Sequence, residues 1–167
     1  TMEGDDNLET GIAISSCVGV EVSNMELSGF SGAAISVSDP RFRQVGPGQV
    51  RVRDNYIHNN QHVGGWGYGV AVGANAWVTI ERNVFDFNRH AITANGKDGT
   101  SYVADHNLVL KGGGVHDKWY SQYTHLFDVH GDANCDYLPG DWFQHIWNCG
   151  NAGTYFEMTN NAFQYTN

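Results

Sequence analysis

Apolar and polar residues alternate with a period of two in four short segments of the chain: AAISV at 33–37, YGVAV at 68–72, HAITA at 90–94 and HLFDVH at 125–130. This period is typical of β-strands, in which successive side chains point to opposite faces. Aligning the segments predicts two inward-facing levels, Ile35, Val70, Ile92 and Phe127 in one and Val37, Val72, Ala94 and Val129 in the other. It also predicts an outward column of Ser36, Ala71, Thr93 and Asp128, with Tyr68, His90 and His125 in a neighbouring column.

A second type of segment carries an asparagine beside apolar residues: VEVSNMEL, VRVRDNYI, VTIERNVF, VADHNLVL and FEMTNNAF. Its asparagines are Asn24, Asn55, Asn83, Asn107 and Asn161. Two segment types predict two strands in each repeat. One repeat cannot bury its own apolar face, but stacked repeats share a continuous core. The pattern therefore predicts an all-β fold, a right-handed parallel β-helix (solenoid) of about five rungs with a ladder of asparagines at one turn.

The alternative fold is an antiparallel β-sandwich, in which Asn-Gly or Asp-Gly hairpin turns connect paired strands. The chain contains just two such pairs, Asn95-Gly96 and Asp98-Gly99, and this scarcity favours the β-helix.

Two long insertions, residues 111–124 and 131–153, bracket the strand segment 125–130. Insertions in a solenoid usually lie on one face, often the binding face, so we expect these to wall a groove over 125–130. A single β-helix domain is expected over 1–167, either as a fragment of a longer solenoid or with its ends covered by self-association, because solenoid ends expose strand edges.

The three cysteines suggest one disulfide. Cys135 and Cys149 lie in the second insertion and are expected to pair, whereas Cys17 in the apolar run IAISSCVGVEV is expected to be a buried free thiol. Eighteen acidic residues against nine basic ones give a net charge of −9, which argues against nucleic-acid and anionic-membrane partners. No apolar run approaches the ~20 residues that cross a membrane as a helix, so membrane insertion is not expected.

Three stretches, VRVRDNYIHNNQHVGGWGYGVAV, ERNVFDFNRHAITANG and HLFDVHG, resemble bacterial secreted right-handed β-helix repeat proteins of the pectate-lyase-like superfamily. The resemblance extends as a repeat pattern over residues 9–167. It implies a secreted, extracellular protein directed at polysaccharides, since enzymes of that superfamily are largely polysaccharide lyases, hydrolases, esterases and epimerases. Some of them use calcium, which makes calcium the candidate cofactor. The chain has no closely spaced group of Asp and Glu that matches their calcium site.

The segment 125–130 carries the strongest candidate for chemistry. Asp128 and His130 are two residues apart and share one strand face, and stacking places His125 beside His90. A carboxylate beside imidazoles suits a general acid and base pair or a metal site, although such groups at strand ends often only bond loop backbone. Arg89 would stabilise a developing anion or bind a uronate carboxylate, or else form an ion pair with Asp86.

Aromatic residues are concentrated in the insertions. Sugar rings pack on such side chains, which could equally form a small core that pins the loops. The candidate substrate-binding residues are Trp119, Tyr120, Tyr123, Trp142 and Trp147, together with Tyr68 on the strand. Arg51 and Arg53, beside Thr79 and Glu81 of the next rung, are expected to form a solvated face with a cross-strand ion pair, and His58 and His62 are expected to serve a turn.

The leading hypothesis is therefore a polysaccharide-active enzyme, a lyase or hydrolase in preference to an epimerase. Asp128 with His125 or His130 would transfer protons, and the loop aromatics would hold the glycan. Two alternatives use the same surface without chemistry: a carbohydrate-binding module, and a structural stretch of a cell-surface β-helix.

Overall fold

A computed structural model describes residues 1–3, 10–39, 46–62, 65–112, 125–130 and 152–164. These residues form sixteen short strands: β1 (Met2–Glu3), β2 (Thr10–Ser15), β3 (Val20–Ser23), β4 (Glu26–Ser28), β5 (Ala33–Ser38), β6 (Val50–Arg53), β7 (Tyr56–His58), β8 (Tyr68–Val72), β9 (Trp77–Glu81), β10 (Val84–Asp86), β11 (His90–Ala94), β12 (Ser101–Asp105), β13 (Leu108–Val109), β14 (Phe127–Val129), β15 (Tyr155–Thr159) and β16 (Ala162–Phe163). No helix that could span a membrane occurs within these ranges.

The strands form three parallel sheets. Sheet A has the order β1-β4-β7-β10-β13-β16, sheet B the order β14-β11-β8-β5-β2, and sheet C the order β15-β12-β9-β6-β3. The chain visits B, C and A in turn and then begins the next rung, so successive rungs place each strand beside its equivalent. This is a right-handed parallel β-helix of five rungs, as the alternation predicts, and not a sandwich.

Each rung has three strands where the sequence predicted two. Sheet A supplies the additional strand, which is three residues long or shorter and follows sheet C after a sharp turn. The residue at this turn has a positive φ, near +55°, in every rung: Asn24, Asp54, Arg82, His106 and Asn160. Strands this short show little alternation, and each was therefore read as the tail of the preceding segment.

The core lies between the three sheets. Register partners in sheet B include Ile35 with Val70, Val70 with Ile92, and Ile92 with Phe127, which confirms the inward level that the sequence predicts. Ile35, Val70 and Ile92 are fully buried, and Phe127 packs against them half-buried. Stacked apolar levels of this kind bury surface on every rung, which stabilises the solenoid.

An asparagine ladder follows the turn between sheets C and A. The backbone N–H of Asn55 donates to Asn83 Oδ1 (3.1 Å), that of Asn83 to Asn107 Oδ1 (3.0 Å), and that of Asn107 to Asn161 Oδ1 (2.9 Å). The predicted ladder is therefore present over four rungs. The side-chain amides of the ladder form hydrogen bonds with backbone groups at the turn that have no partner within the sheets.

Asn24 is not a member of this ladder, contrary to the alignment above. Ser23 pairs with Arg53, so Asn24 is level with Asp54 and Met25 is level with Asn55. The backbone N–H of Met25 accordingly donates to Asn55 Oδ1 at 3.0 Å. The alignment was wrong by one residue on the first rung, because Asn24 occupies the positive-φ position that asparagine also favours.

A second ladder, at the turn between sheets A and B, was not predicted. Asn60 accepts from the backbone N–H of Phe30 and donates to Asn88 Oδ1 at 2.8 Å. Asn88 in turn donates to the carbonyl of Ile57. Both asparagines are buried, and together they hold the chain where it enters sheet B.

Cys17 is exposed, contrary to the predicted burial. It lies just beyond β2, in the connection to sheet C, and its thiol donates to the Ser15 carbonyl. The apolar run around it spans a turn, so the alternation does not continue through Cys17. The predicted disulfide between Cys135 and Cys149 and most of both insertions lie outside the described residues.

Candidate functional site

The outer face of sheet B carries a long groove. Its floor is the predicted column, in which Ser36 pairs with Ala71, Ala71 with Thr93, and Thr93 with Asp128. Two adjoining hollows, of about 380 and 360 Å³, share Ser36, Ala71 and the aromatic residues Trp66 and Tyr68. The side chains of this column are small and fill little of the groove, so the groove runs across neighbouring strands without a break. Five strands at ~4.8 Å spacing give it a length of ~19 Å.

A local irregularity in the strands brings larger side chains onto this face. Ala34 and Ile35 both belong to the core, and so do Ala91 and Ile92. Two consecutive inward residues reverse the alternation, so the residue before them returns to the outer face, and the irregularity occurs at the same level in neighbouring strands. His90 therefore faces outward, beside Asp128. In a regular strand it would face inward, because it lies two residues before the inward-facing Ile92.

Trp66 forms the wall of the groove together with Tyr68. The Trp66 side chain is 57% exposed, and its ring centroid lies 6.2 Å from that of Tyr68. The turn that carries it is fixed by the Gly65 carbonyl, which accepts from the Tyr68 hydroxyl (3.0 Å) and from Arg89 Nη1 (2.7 Å). A large exposed aromatic side chain on a fixed backbone is a suitable surface for a sugar ring.

Arg89 supports this wall. Its guanidinium lies over the Tyr68 ring, 5.8 Å from the centroid, and binds the Gly65 carbonyl. Within the described residues it forms no ion pair with Asp86, whose Oδ1 instead accepts from the backbone of Lys111. The role predicted for Arg89, binding or stabilising an anion, stays a prediction.

Three rings form a stack beside the floor. Tyr68 and His90 are nearly parallel with centroids 5.4 Å apart, and His90 and His125 are 5.1 Å apart. The predicted neighbouring column is therefore continuous. Enclosed between its neighbours, the side chain of His90 has no exposed surface, whereas that of His125 is 58% exposed.

Asp128 lies among three imidazoles. Its Oδ2 is 2.6 Å from His130 Nε2 and 3.6 Å from His90 Nε2, and its Oδ1 is 3.8 Å from His125 Nδ1. His90, Asp128 and His130 each offer a ligand atom within 4.8 Å of the others, and they are the one such group of three among the described residues. The structure thus brings together four of the five predicted catalytic residues, His90, His125, Asp128 and His130. The fifth, Arg89, directs its guanidinium to the Gly65 carbonyl.

The protonation of His90 follows from its surroundings. Burial lowers the pKa of its imidazole to about 4, opposed by the hydrogen bond to the His125 carbonyl, so the ring is neutral at pH 7. Nδ1 lies 2.7 Å from the carbonyl oxygen of His125 and 3.1 Å from its backbone nitrogen. The two contacts belong to different tautomers, because Nδ1 donates to the carbonyl when it carries the proton and accepts from the backbone N–H of His125 when it does not. In the tautomer with the proton on Nδ1, Nε2 presents its lone pair to Asp128.

Most predicted substrate-binding residues lie outside the described part of the chain. These are Trp119, Tyr120, Tyr123, Trp142 and Trp147, and their role stays a prediction. Tyr68 lies in the groove as predicted, whereas Trp66 was missed. The glycines around it in GGWGYG signal a tight turn, which could have marked it as a side chain displayed at the surface.

The remaining candidates lie elsewhere. His58 contacts Glu26 at 3.2 Å, and His62 bridges to Trp66 and lines the groove. On sheet C, Arg51 lies 3.6 Å from Glu81 of the next rung, which confirms the predicted cross-strand ion pair. Such exposed pairs contribute little to stability.

One family model matches this chain, the right handed beta helix region, over residues 4–108. No curated protein and no solved structure matches it. The matched range is more than half of the 167 residues and contains the first three complete rungs and most of the fourth. The chain therefore belongs to the right handed beta helix family.

Proposed function

We propose that this protein binds an extended polysaccharide along the groove of sheet B and acts on it at the end formed by His90, Asp128 and His130. The observation that carries the proposal is the continuity of a ~19 Å groove with a cluster of reactive groups at one end. Proteins of this family are often directed at carbohydrates, and such proteins commonly work outside the cell. We therefore propose that this chain is a secreted, pectate-lyase-like β-helix protein.

The chemistry of the groove suits a glycan. Ser36 and Thr93 supply hydroxyl groups on the floor, and Trp66 supplies an apolar face on the wall. Sugars combine hydroxyl groups with apolar ring faces, so this mixture satisfies both parts of the ligand. The length of the groove, ~19 Å, favours a polymer over a small molecule.

The reactive end suits lyase, hydrolase or epimerase chemistry. The carboxylate of Asp128 is 16% exposed, so it is reachable from the groove yet mostly removed from water. In this position it exchanges a proton with the substrate, and His130, which contacts it at 2.6 Å, passes the proton on to solvent. Each of these reactions needs such a group beside the bond that changes.

The test begins with a panel of neutral and uronic-acid polysaccharides, with unsaturated products and reducing ends measured together. With any substrate that the wild type turns over, the variant Asp128→Asn should have a kcat lower by at least about 100-fold, with little change in KM. Trp66→Ala should chiefly raise KM. Turnover that survives in Asp128→Asn would contradict the assignment of the reactive end.

A second candidate is a module that binds glycan without chemistry, and the exposure of Trp66 on a fixed turn favours it. It predicts binding that Asp128→Asn leaves intact and Trp66→Ala abolishes, with no product from any member of the panel. Ala71→Phe fills the floor of the groove and should block binding in both cases. Thr79→Phe, at an outward position of sheet C, is its matched control.

A further inference from the structure

Three possible ligand atoms meet at the end of the groove, and two of them are buried without a hydrogen-bond partner in the described part of the chain. His90 Nε2 and Asp128 Oδ2 are both buried and have no hydrogen-bond partner among the described residues. His130 Nε2 reaches the same carboxylate oxygen at 2.6 Å from the solvent side. His90 and Asp128 lie on the neighbouring strands β11 and β14, so the register of sheet B determines their separation, and His130 follows one residue after β14.

The contacts around the His90 ring are those typical of a histidine that binds a metal. Histidines that bind metals usually donate their other ring N–H to a carbonyl or a carboxylate, which fixes the ring and the tautomer. With its proton on Nδ1, His90 donates to the His125 carbonyl at 2.7 Å, and the rings of Tyr68 and His125 enclose it on both sides. In this tautomer the lone pair of Nε2 points at Asp128 and is available to a metal ion.

In this tautomer the arrangement is unfavourable without a cation. A lone pair on His90 Nε2 and a carboxylate oxygen of Asp128 then face each other across 3.6 Å, and both are acceptors. His90 Nε2 is buried and lacks a donor within the described ranges, which is destabilising. A cation between them would give both a partner and remove their repulsion.

The separations fit a small divalent ion. Ligands at ~2.0–2.1 Å from a tetrahedral ion lie ~3.3 Å apart. The two distances to Asp128 Oδ2, 2.6 and 3.6 Å, lie on either side of that value, and all three ligand atoms lie within 4.8 Å of one another. Two imidazoles and one carboxylate favour Zn²⁺ and related transition ions. Ca²⁺ instead requires six to eight oxygen ligands, so calcium does not suit these donors.

We propose that His90, Asp128 and His130 bind one divalent transition-metal ion, of the Zn²⁺ or Co²⁺ class, with at least one coordination position open to the groove. Three protein ligands and an open position are typical of catalytic sites, whereas structural zinc sites have four protein ligands. An ion here would make its bound water the group that exchanges a proton with the substrate, and Asp128 would remain essential as a ligand. The inference rests on the site of the proposed function, but ion binding needs no glycan.

The test is a titration of the metal-free full chain with Co²⁺, followed by its visible absorption, and with Zn²⁺ by calorimetry. Wild type should bind one equivalent, and His130→Ala should weaken binding by at least about 100-fold, because loss of a supporting group alone costs 10–100-fold. His106→Ala is the matched control. His106 is also exposed and contacts a neighbouring aspartate, Asp105, at 2.7 Å, and its removal should leave binding unchanged.

Two results would overturn the site: no saturable Co²⁺ binding by wild type, or equal affinity in wild type and His130→Ala. Displacement of Co²⁺ by an equal concentration of Ca²⁺ would overturn its selectivity. Asp128→Asn gives an independent check, since it keeps the shape of the side chain and should also weaken binding. The titration contains no sugar, so a polysaccharide screen that finds no substrate would not affect the evidence for metal binding. Failure to bind metal would likewise leave the result of the polysaccharide screen unaffected.

Discussion

Replacing Asn83 by alanine should remove a large part of the stability of this β-helix. Asn83 lies in the middle of the asparagine ladder and is almost fully buried. Its Oδ1 accepts from the backbone N–H and the side chain of Asn55, at 3.1 and 2.9 Å. Its Nδ2 donates to the Val52 carbonyl at 2.9 Å and to Asn107 Oδ1 at 3.1 Å. Alanine removes all four hydrogen bonds and leaves no room for bulk water to replace them.

The magnitude follows from the groups left behind. In the variant, the Asn55 side chain still donates to the Val22 carbonyl, and Asn107 Oδ1 still accepts from the backbone N–H of residue 83. The backbone N–H of Asn55 and the carbonyl of Val52 lose their hydrogen bonds to the Asn83 side chain. At about 1–3 kcal/mol for each of these two buried groups, the free energy of unfolding should fall by about 2–6 kcal/mol. The total free energy of unfolding of a typical domain is about 5–15 kcal/mol.

Urea unfolding followed by circular dichroism measures this loss. With a slope of ~2 kcal/mol/M, the midpoint should fall by about 2 M without a change in slope. Asn95→Ala is the control, because Asn95 accepts two hydrogen bonds at an exposed position and should cost about 1 kcal/mol. A loss below about 1 kcal/mol for Asn83→Ala would refute the reasoning, since the ladder would then contribute no more than a surface contact.

Two further predictions concern packing and pH. Gly69→Ala places a Cβ 2.5 Å from the Ala91 carbonyl oxygen, so the melting temperature should fall by roughly 3–10 °C, whereas Gly46→Ala meets nothing within 4 Å and should have little effect. The His106 hydrogen bond lowers the pKa of Asp105 to about 2, below its unfolded value of about 3.9, so its stabilisation is complete above pH ~4 and is lost as the pH falls toward 2. The difference in melting temperature between wild type and Asp105→Asn should therefore shrink over that interval, and a constant difference would contradict this assignment.

The sequence predicted sheet B well because its pattern determines its register. A shift by one residue would turn Ile35, Val70 and Ile92 outward, so burial permits one alignment. That alignment also brought Asp128 level with Thr93, and stacking brought His90 beside His125. The floor of the groove could thus be found from alternation alone.

Other features depend on contacts that alternation does not encode. The sheet A strands contain too few residues to show a period, and Asn24 was aligned with the ladder because asparagine suits both that position and the preceding turn. Trp66 forms the wall because Tyr68 and Arg89 donate to the Gly65 carbonyl, and these contacts require two successive rungs to be assembled. The buried Nε2 of His90, unpartnered among the described residues, likewise depends on tertiary packing.

A crystal structure of the protein with an oligosaccharide derived from a polysaccharide it binds would test the central claim most directly. The account predicts a sugar chain over Ser36, Ala71 and Thr93, with one ring on Trp66 and the bond that changes within contact distance of the group at Asp128 and His130. An oligosaccharide bound to the outer face of sheet A or sheet C, with the groove of sheet B empty, would contradict it.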